Sequence, residues 1–280
     1  MENVKKEVIG VTSNILPVTG AELYYETKGK GPVILMIPGA NGDHFIFTPI
    51  REILSETFTV VTYDRRGFSG SRLTAEQDYT NRIDTDADDA GLLIKHLSAD
   101  PAYIFASSSG ALVSLQLIIR HPEIVKALIP HEPTALKYLP DVDKWKSSVQ
   151  EIFDIYTREG GTVAKKKFVD EVLPGQKDGQ LMLSKGDAPN PNEAYWFEHE
   201  LRQYPSTDFD TDKLQAVKDK ILFCVGMDSV HTMPAWPVTN LAKQFGTEIL
   251  SVPGGHLGYV LHPAEFAESL RRGLQQRGRI

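Results

Sequence analysis

Two hundred and eighty residues, 41% hydrophobic and 24% charged, suffice for two domains or for one large α/β core carrying an insertion, and exclude a disordered or fibrous chain. A net charge of −7 repels nucleic-acid backbones, so no nucleic-acid partner is expected. The single cysteine, Cys224, cannot close an internal disulfide, and neither C-x-x-C nor H-E-x-x-H occurs, so neither a redox framework nor a bound metal is expected.

The segment from Met1 to Gly20 has charges at Lys5, Lys6 and Glu7 and no apolar run of signal-peptide length, and about 18 consecutive apolar residues occur nowhere. A cytoplasmic protein with no membrane partner is the expectation. The first strands are predicted at Glu7 to Val11, at Glu22 to Thr27 and in the continuous apolar run Val33 to Ile37. That run ends in the turn-rich loop Pro38-Gly39-Ala40-Asn41-Gly42, after which Phe45, Phe47, Ile50, Ile53 and Leu54 recur at helical spacing. The strand, loop and helix pattern repeats as Phe58 to Tyr63, Asp64 to Ser71 and a helix near Asp84 to Leu97. It repeats again as Ala102 to Phe105, Ser107 to Gly110 and a helix from Leu112 to Arg120. Such alternation implies right-handed crossovers and a mostly parallel sheet flanked by helices.

From Pro133 to about Lys218 the strand signal disappears and amphipathic stretches rich in aromatics replace it: Trp145, Phe153, Tyr156, Phe168, Tyr195, Trp196 and Phe197. An insertion of some 80 helical residues in an α/β sheet is the pattern of a cap that shapes a substrate pocket, although such aromatics also form a cap's own core. The α/β pattern resumes with a strand at Ile221 to Val225, a helix near Trp236 to Phe245, a strand at Glu248 to Val252 and a helix at Pro263 to Arg272. The expected organisation is therefore a core of residues 1–132 and 219–280 with a helical cap, 133–218, inserted before the penultimate strand. Arg271, Arg272, Arg277 and Arg279 at the end of the last helix are read as complements of its dipole.

The chemistry concentrates in Phe105-Ala106-Ser107-Ser108-Ser109-Gly110-Ala111, where a strand turns directly into a helix. A nucleophile on such a turn adopts strained backbone angles, and the residues two before and two after it must be small so that strand and helix can approach. Ser108, flanked by Ala106 and Gly110, meets that test. Ser107 is flanked by Phe105, whereas Ser109, between Ser107 and Ala111, is tolerable; three serines before a helix also suit an N-cap. A serine nucleophile needs a base, a carboxylate to orient the base, and N–H groups aimed at the oxyanion. His256 in Val252-Pro253-Gly254-Gly255-His256 follows the last strand, at the same sheet edge as Ser108. His262 and His121 both precede proline and read as punctuation.

Taken together, the segment Ala106 to Gly110, the loop Pro38 to Gly42, the run Asp64-Arg65-Arg66-Gly67-Phe68-Ser69-Gly70-Ser71, the cap and the late histidine make the chain resemble an α/β-hydrolase over essentially its whole length. The resemblance implies backbone N–H donors of Ala40 and Ser109 for the oxyanion, no cofactor, and a scaffolding role for Asp64 to Ser71, with Arg65 and Arg66 shaping a turn. The family often has His-Gly where this chain has Pro38-Gly39, and Gly where it has Ala106. For the acid two positions are open. Asp228, in Gly226-Met227-Asp228, occupies the usual family loop one residue short of the common spacing. Glu132, in Ile129-Pro130-His131-Glu132-Pro133-Thr134, resembles the branch that includes the zearalenone-type lactonases, and its longer side chain makes it the preferred candidate.

The expected function is a serine hydrolase acting on a small-molecule carboxylic ester or lactone through an acyl-enzyme. Because the base works as neutral imidazole, activity should fall as pH drops through roughly 6.5. A cofactor-free acyltransferase or perhydrolase would use the same residues, and a small-molecule receptor on this fold would hydrolyse slowly or not at all. Aspartate-nucleophile dehalogenase and epoxide hydrolase chemistry is disfavoured by the serine at the turn, and nucleotide chemistry by the absence of phosphate-loop motifs.

Overall fold

A computed structural model describes residues 10–184 and 190–280. Among the described residues nine strands, numbered in chain order, form one sheet, eight of them in the order β1-β2-β4-β3-β6-β7-β8-β9 and the ninth, β5, paired with β2 off this path. The edge is a hairpin of β1 (Thr12–Val18) and β2 (Ala21–Lys28), turned at Thr19-Gly20, where Gly20 has φ 75°. The strand expected at Glu7 to Val11 falls at residues 7–9 outside the described part, and Gly10 and Val11 are not in a strand. The first described strand instead lies over Thr12–Val18 and contains Pro17, which an exposed edge strand tolerates because one of its sides has no ladder to complete.

From β3 (Val33–Ile37) the chain follows the expected alternation. A single 3-10 turn, capped by the Asp43 carboxylate on Phe45 N–H at 2.8 Å, leads into α1 (Thr48–Leu54), and β4 (Thr59–Tyr63) pairs parallel to β3. A two-residue strand, β5 (Arg72–Leu73), pairs with β2 and has no counterpart in the sequence reading. Then come α2 (Arg82–Leu97), β6 (Ala102–Ser107), α3 (Ser109–Arg120) and β7 (Val125–His131). Strands β4, β3, β6, β7, β8 and β9 run parallel, so the C-terminal ends of β3, β6, β7, β8 and β9 share one edge.

Among the described residues five α-helices separate β7 from β8: α4 (Val142–Glu159), α5 (Gly161–Val172), α6 (Lys177–Leu183), α7 (Pro191–His199) and α8 (Thr211–Ala216). Spacing of four and three residues puts Trp145, Val149 and Ile152 on one face of α4. There they pack with Val172, Trp196, Phe197 and Leu201, and with Phe68 and Met233 from outside the insertion, into a third hydrophobic cluster. Helix α7 starts where the Asn190 side chain accepts from Asn192 N–H and Pro191 takes the first position. The chain closes with β8 (Phe223–Gly226), α9 (Ala235–Phe245), β9 (Ile249–Val252), α10 (Gly258–Leu261) and α11 (Pro263–Gln276).

Period-two alternation divides the buried strands between two cores. Leu35, Ile37 and Ile104 face α2, α3 and α9, while Ile34, Met36, Tyr103 and Phe105 face α1, α10 and α11. The C-terminal arginines do more than complement a dipole. Arg277 donates to Ile221 O at 2.9 Å and Arg279 to Asp219 O, tying the end of the chain to the start of β8. Among the described residues no helix is long and apolar enough to cross a membrane.

Candidate active site

Strand β6 ends at Ser107 and α3 begins at Ser109, so Ser108 must reverse the chain in one residue. It does so at φ 58° and ψ −125°, a region that L-residues rarely occupy. The turn is held by Ser108 N–H donating to His131 O at 3.0 Å and by Ala111 N–H donating to Ser108 O at 2.9 Å. The smallness rule has a visible cause at Gly110. A Cβ there would lie 2.4 Å from Ile37 O and 2.5 Å from Pro38 O, inside van der Waals contact. The three serines face different ways. Ser107 is buried with its Oγ 3.3 Å from His131 Nδ1, Ser109 Oγ accepts from Trp196 Nε1 at 3.4 Å, and Ser108 lines a cavity of about 360 Å³.

His256 lines the same cavity, on the loop after β9. Its Nδ1 lies 2.7 Å from Glu132 Oε2, and since an ionised carboxylate only accepts, that nitrogen carries the proton and Nε2 is the basic one. Nε2 has no hydrogen-bond partner among the described residues. Glu132 sits just past the end of β7 at φ 50°, which turns its side chain back toward β8. There its Oε1 accepts from Gly226 N–H at 2.9 Å, and its own N–H donates to Cys224 O at 3.2 Å. Complete burial would raise the Glu132 pKa; His131, the His256 hydrogen bond and the Gly226 N–H outweigh it and hold the carboxyl below its ordinary value. The second candidate acid, Asp228, is exposed and is not brought to His256. Its N–H donates to Gly254 O and its carbonyl accepts from Gln176 Nε2, both at 2.9 Å, so Asp228 braces the histidine loop through its backbone.

The N–H groups of Ala40 and Ser109 have no acceptor among the described residues, and both residues border the Ser108 cavities. Support for the Pro38-Gly39 loop comes from a residue that the sequence reading left as a turn former. Arg65, fully buried, donates through Nε to Pro38 O at 3.0 Å and through Nη2 to Gly39 O at 2.8 Å. Its charge is met by Asp86 at 2.8 Å and by Glu200, just beyond α7, at 2.7 Å. Arg82 joins through Glu200 at 3.2 Å, and Tyr204 donates to Asp86 at 2.8 Å. A signal for Asp86 was present: it stands four and seven residues before Ala90 and Leu93, on the apolar face of α2. Glu200 gave none.

Two further residues were missed. Asp178 of α6 is buried against the histidine loop and accepts from Leu257 N–H at 3.2 Å. His131 is fully buried between Ser107 and Glu132, with its ring stacked on that of His256 at 6.2 Å and its Nε2 without a hydrogen-bond partner. Burial pushes its pKa down to about 4, so it stays neutral at pH 7. Of the aromatics in the insertion, Phe168, Trp196 and Phe197 line the large cavity, whereas Tyr195 packs edge-on against Phe68 and accepts from Arg82. Among the described residues no group of three or more His, Cys, Asp or Glu side chains is gathered as a metal-ligand set.

A parallel sheet with a strained serine at the strand-to-helix turn and a carboxylate-paired histidine at the same edge defines the α/β-hydrolase class. The sequence model of the α/β hydrolase fold matches residues 32–173, and this chain belongs to that family. It is 36% identical over 270 residues to the uncharacterized hydrolase YraK of Bacillus subtilis (strain 168), covering 95% of this chain and 97% of that one. It is 26% identical to a zearalenone hydrolase of Bionectria ochroleuca, over 91% and 95% of the two chains. A thermophilic esterase from Thermogutta terrifontis has the same fold, with a TM-score of 0.73 at 20% identity over 95% of this chain and 99% of that one. The protein is thus an enzyme of the hydrolase class.

Proposed function

We propose that this hydrolase cleaves a carboxylic ester or lactone with Ser108 as nucleophile, His256 as base, Glu132 as the orienting acid, and the Ala40 and Ser109 N–H groups as oxyanion donors. The observation that carries the reading is that His256, bonded to buried Glu132 through Nδ1, opens with strained Ser108 onto one cavity. In the first half-reaction Ser108 Oγ bonds to the carbonyl carbon as its proton passes to His256 Nε2. The carbonyl oxygen becomes an oxyanion, and collapse breaks the bond to the leaving oxygen, which takes the proton from His256. Water then attacks the acyl-enzyme, gives its proton to His256, and releases the acid as Ser108 recovers a proton. Each oxyanion donor is worth about 10²–10³ in rate and the base about 10²–10⁴. Neutral His131 leaves the Glu132 charge to His256, which stabilises the imidazolium formed in each step. Residues 133–218 act as a cap over this edge, contributing Phe168, Trp196 and Phe197 to the cavity wall. The esterase of the same fold and the zearalenone hydrolase relative point the same way.

The test is steady-state hydrolysis of 4-nitrophenyl acetate. Multiple turnovers by the wild type and loss of at least about 10³ in kcat for Ser108→Ala, with an unchanged circular dichroism spectrum, are expected. A Ser108→Ala variant as active as the wild type would overturn the reading. One burst without turnover would favour a receptor on this fold.

A further inference from the structure

A second cavity touches Ser108. It has room for about 20 Å³, against about 360 Å³ for the chamber that holds His256, and the two share Ser108, Phe168 and Trp196. The small cavity is the more enclosed of the two and is walled chiefly by Leu136, Trp145, Val149, Ile152 and Met233 of the insertion and its neighbours. In the same measure one water needs about 10–15 Å³, so a methyl or ethyl group fits and a longer chain does not. Ser109, whose N–H is a proposed oxyanion donor, borders this cavity; His256 does not.

Stereochemistry then assigns the two spaces. When Ser108 Oγ has added to a carbonyl carbon, three other substituents remain: the oxyanion, the acyl chain and the leaving oxygen. The leaving oxygen must reach His256 Nε2 to take its proton, which directs it and its substituent into the large chamber. With the oxyanion at the N–H groups, the acyl chain is directed to the side without the histidine. The geometry points to esters of a short, neutral acyl group, acetyl to propionyl, with a bulky apolar alcohol or phenol as the substrate class. A charged acyl chain would be buried among Leu136, Val149 and Ile152, where the wall offers the hydroxyl residues Thr134 and Ser148 and no opposite charge. The leaving group meets Phe45, Ile46, Leu181, Met182 and Val260. A large lactone is disfavoured, because its acyl arm returns to the leaving oxygen and cannot end in a methyl-sized cavity.

This assignment rests on the proposed serine hydrolase reading, and one experiment separates the two. We would measure kcat/KM for the 4-nitrophenyl esters of acetate, propionate and hexanoate, in which the leaving group is constant, and for the macrolactone pentadecanolide. Acetate or propionate exceeding hexanoate by at least about tenfold is expected, since one methylene misfitted to an apolar pocket is worth about 10–200-fold. A flat or rising series, or pentadecanolide cleaved as fast as the acetate, overturns the acyl assignment while leaving the hydrolase reading intact. No turnover of any ester overturns both. Location is tested by Ile152→Ala and the milder Val149→Ala, either of which should raise the hexanoate-to-acetate ratio at least about fivefold. An unchanged ratio in a folded variant places the acyl chain elsewhere and overturns the assignment.

Discussion

At the scale of single residues, the acid is where chemistry and geometry meet most closely. Glu132 and Asp228 both satisfy the order serine, acid, histidine along the chain, and both stand at the ends of neighbouring strands. Only the longer side chain, turned back by φ 50°, lies 2.7 Å from His256. Glu132→Gln should therefore lower kcat by about 10²–10⁴ with little change in KM, since the amide cannot stabilise the imidazolium formed in the transition state. Asp228→Asn, which keeps the backbone bonds to Gly254 and Gln176, should stay within about twofold. Parallel kinetics of the two variants on 4-nitrophenyl acetate checks both; the reverse pattern would assign the acid to Asp228.

Elements explain how the Pro38-Gly39 loop is held without the histidine that the family often has there. The carbonyls of Pro38 and Gly39 are held by Arg65 from the loop after β4, and that guanidinium is neutralised by Asp86 of α2 and by Glu200 beyond α7. The core and the insertion are thus joined through a buried charge network that touches the loop carrying Ala40. Breaking a buried pair by removing one partner costs about 3–5 kcal/mol, because the remaining charge is left without compensation. Glu200→Gln should lose roughly that much stability in urea unfolding and lower kcat more than it raises KM, as Arg65 releases the loop. Equal kcat in a destabilised variant would confine Glu200 to a structural role.

On the scale of the whole molecule, the buried neutral His131 ties stability to pH. Its pKa is about 4 in the folded protein and near 6.5 in the unfolded chain. Between those values the unfolded state binds the proton and the native state does not, so the stabilisation is fully present above about 6.5 and declines as pH falls toward 4. A shift of that size is worth about 3 kcal/mol. Glu132, whose folded pKa is depressed, adds to the loss as pH falls below its ordinary value toward the lower folded one. Urea midpoints measured from pH 7.5 to 4 should fall in the wild type and fall less in His131→Asn. Parallel curves would mean that His131 does not carry the linkage.

The sequence by itself determined the alternation of strands and helices, the parallel sheet, and the position of Ser108 between Ala106 and Gly110. These are local matters of hydrophobic period, turn chemistry and side-chain size, and they are written within a few residues of one another. The strand Thr12–Val18 went unread because an exposed edge strand with Pro17 carries little periodic signal. The pairing of Glu132 with His256, the partners of Arg65, the acid brace of Asp178 on the histidine loop and the division of space around Ser108 were decided by the tertiary structure. Each depends on which side chains separate strands and the insertion bring within about 3 Å, across as many as 135 residues between Arg65 and Glu200. Spacing along the chain does not encode such distances; packing of the insertion against the sheet edge sets them.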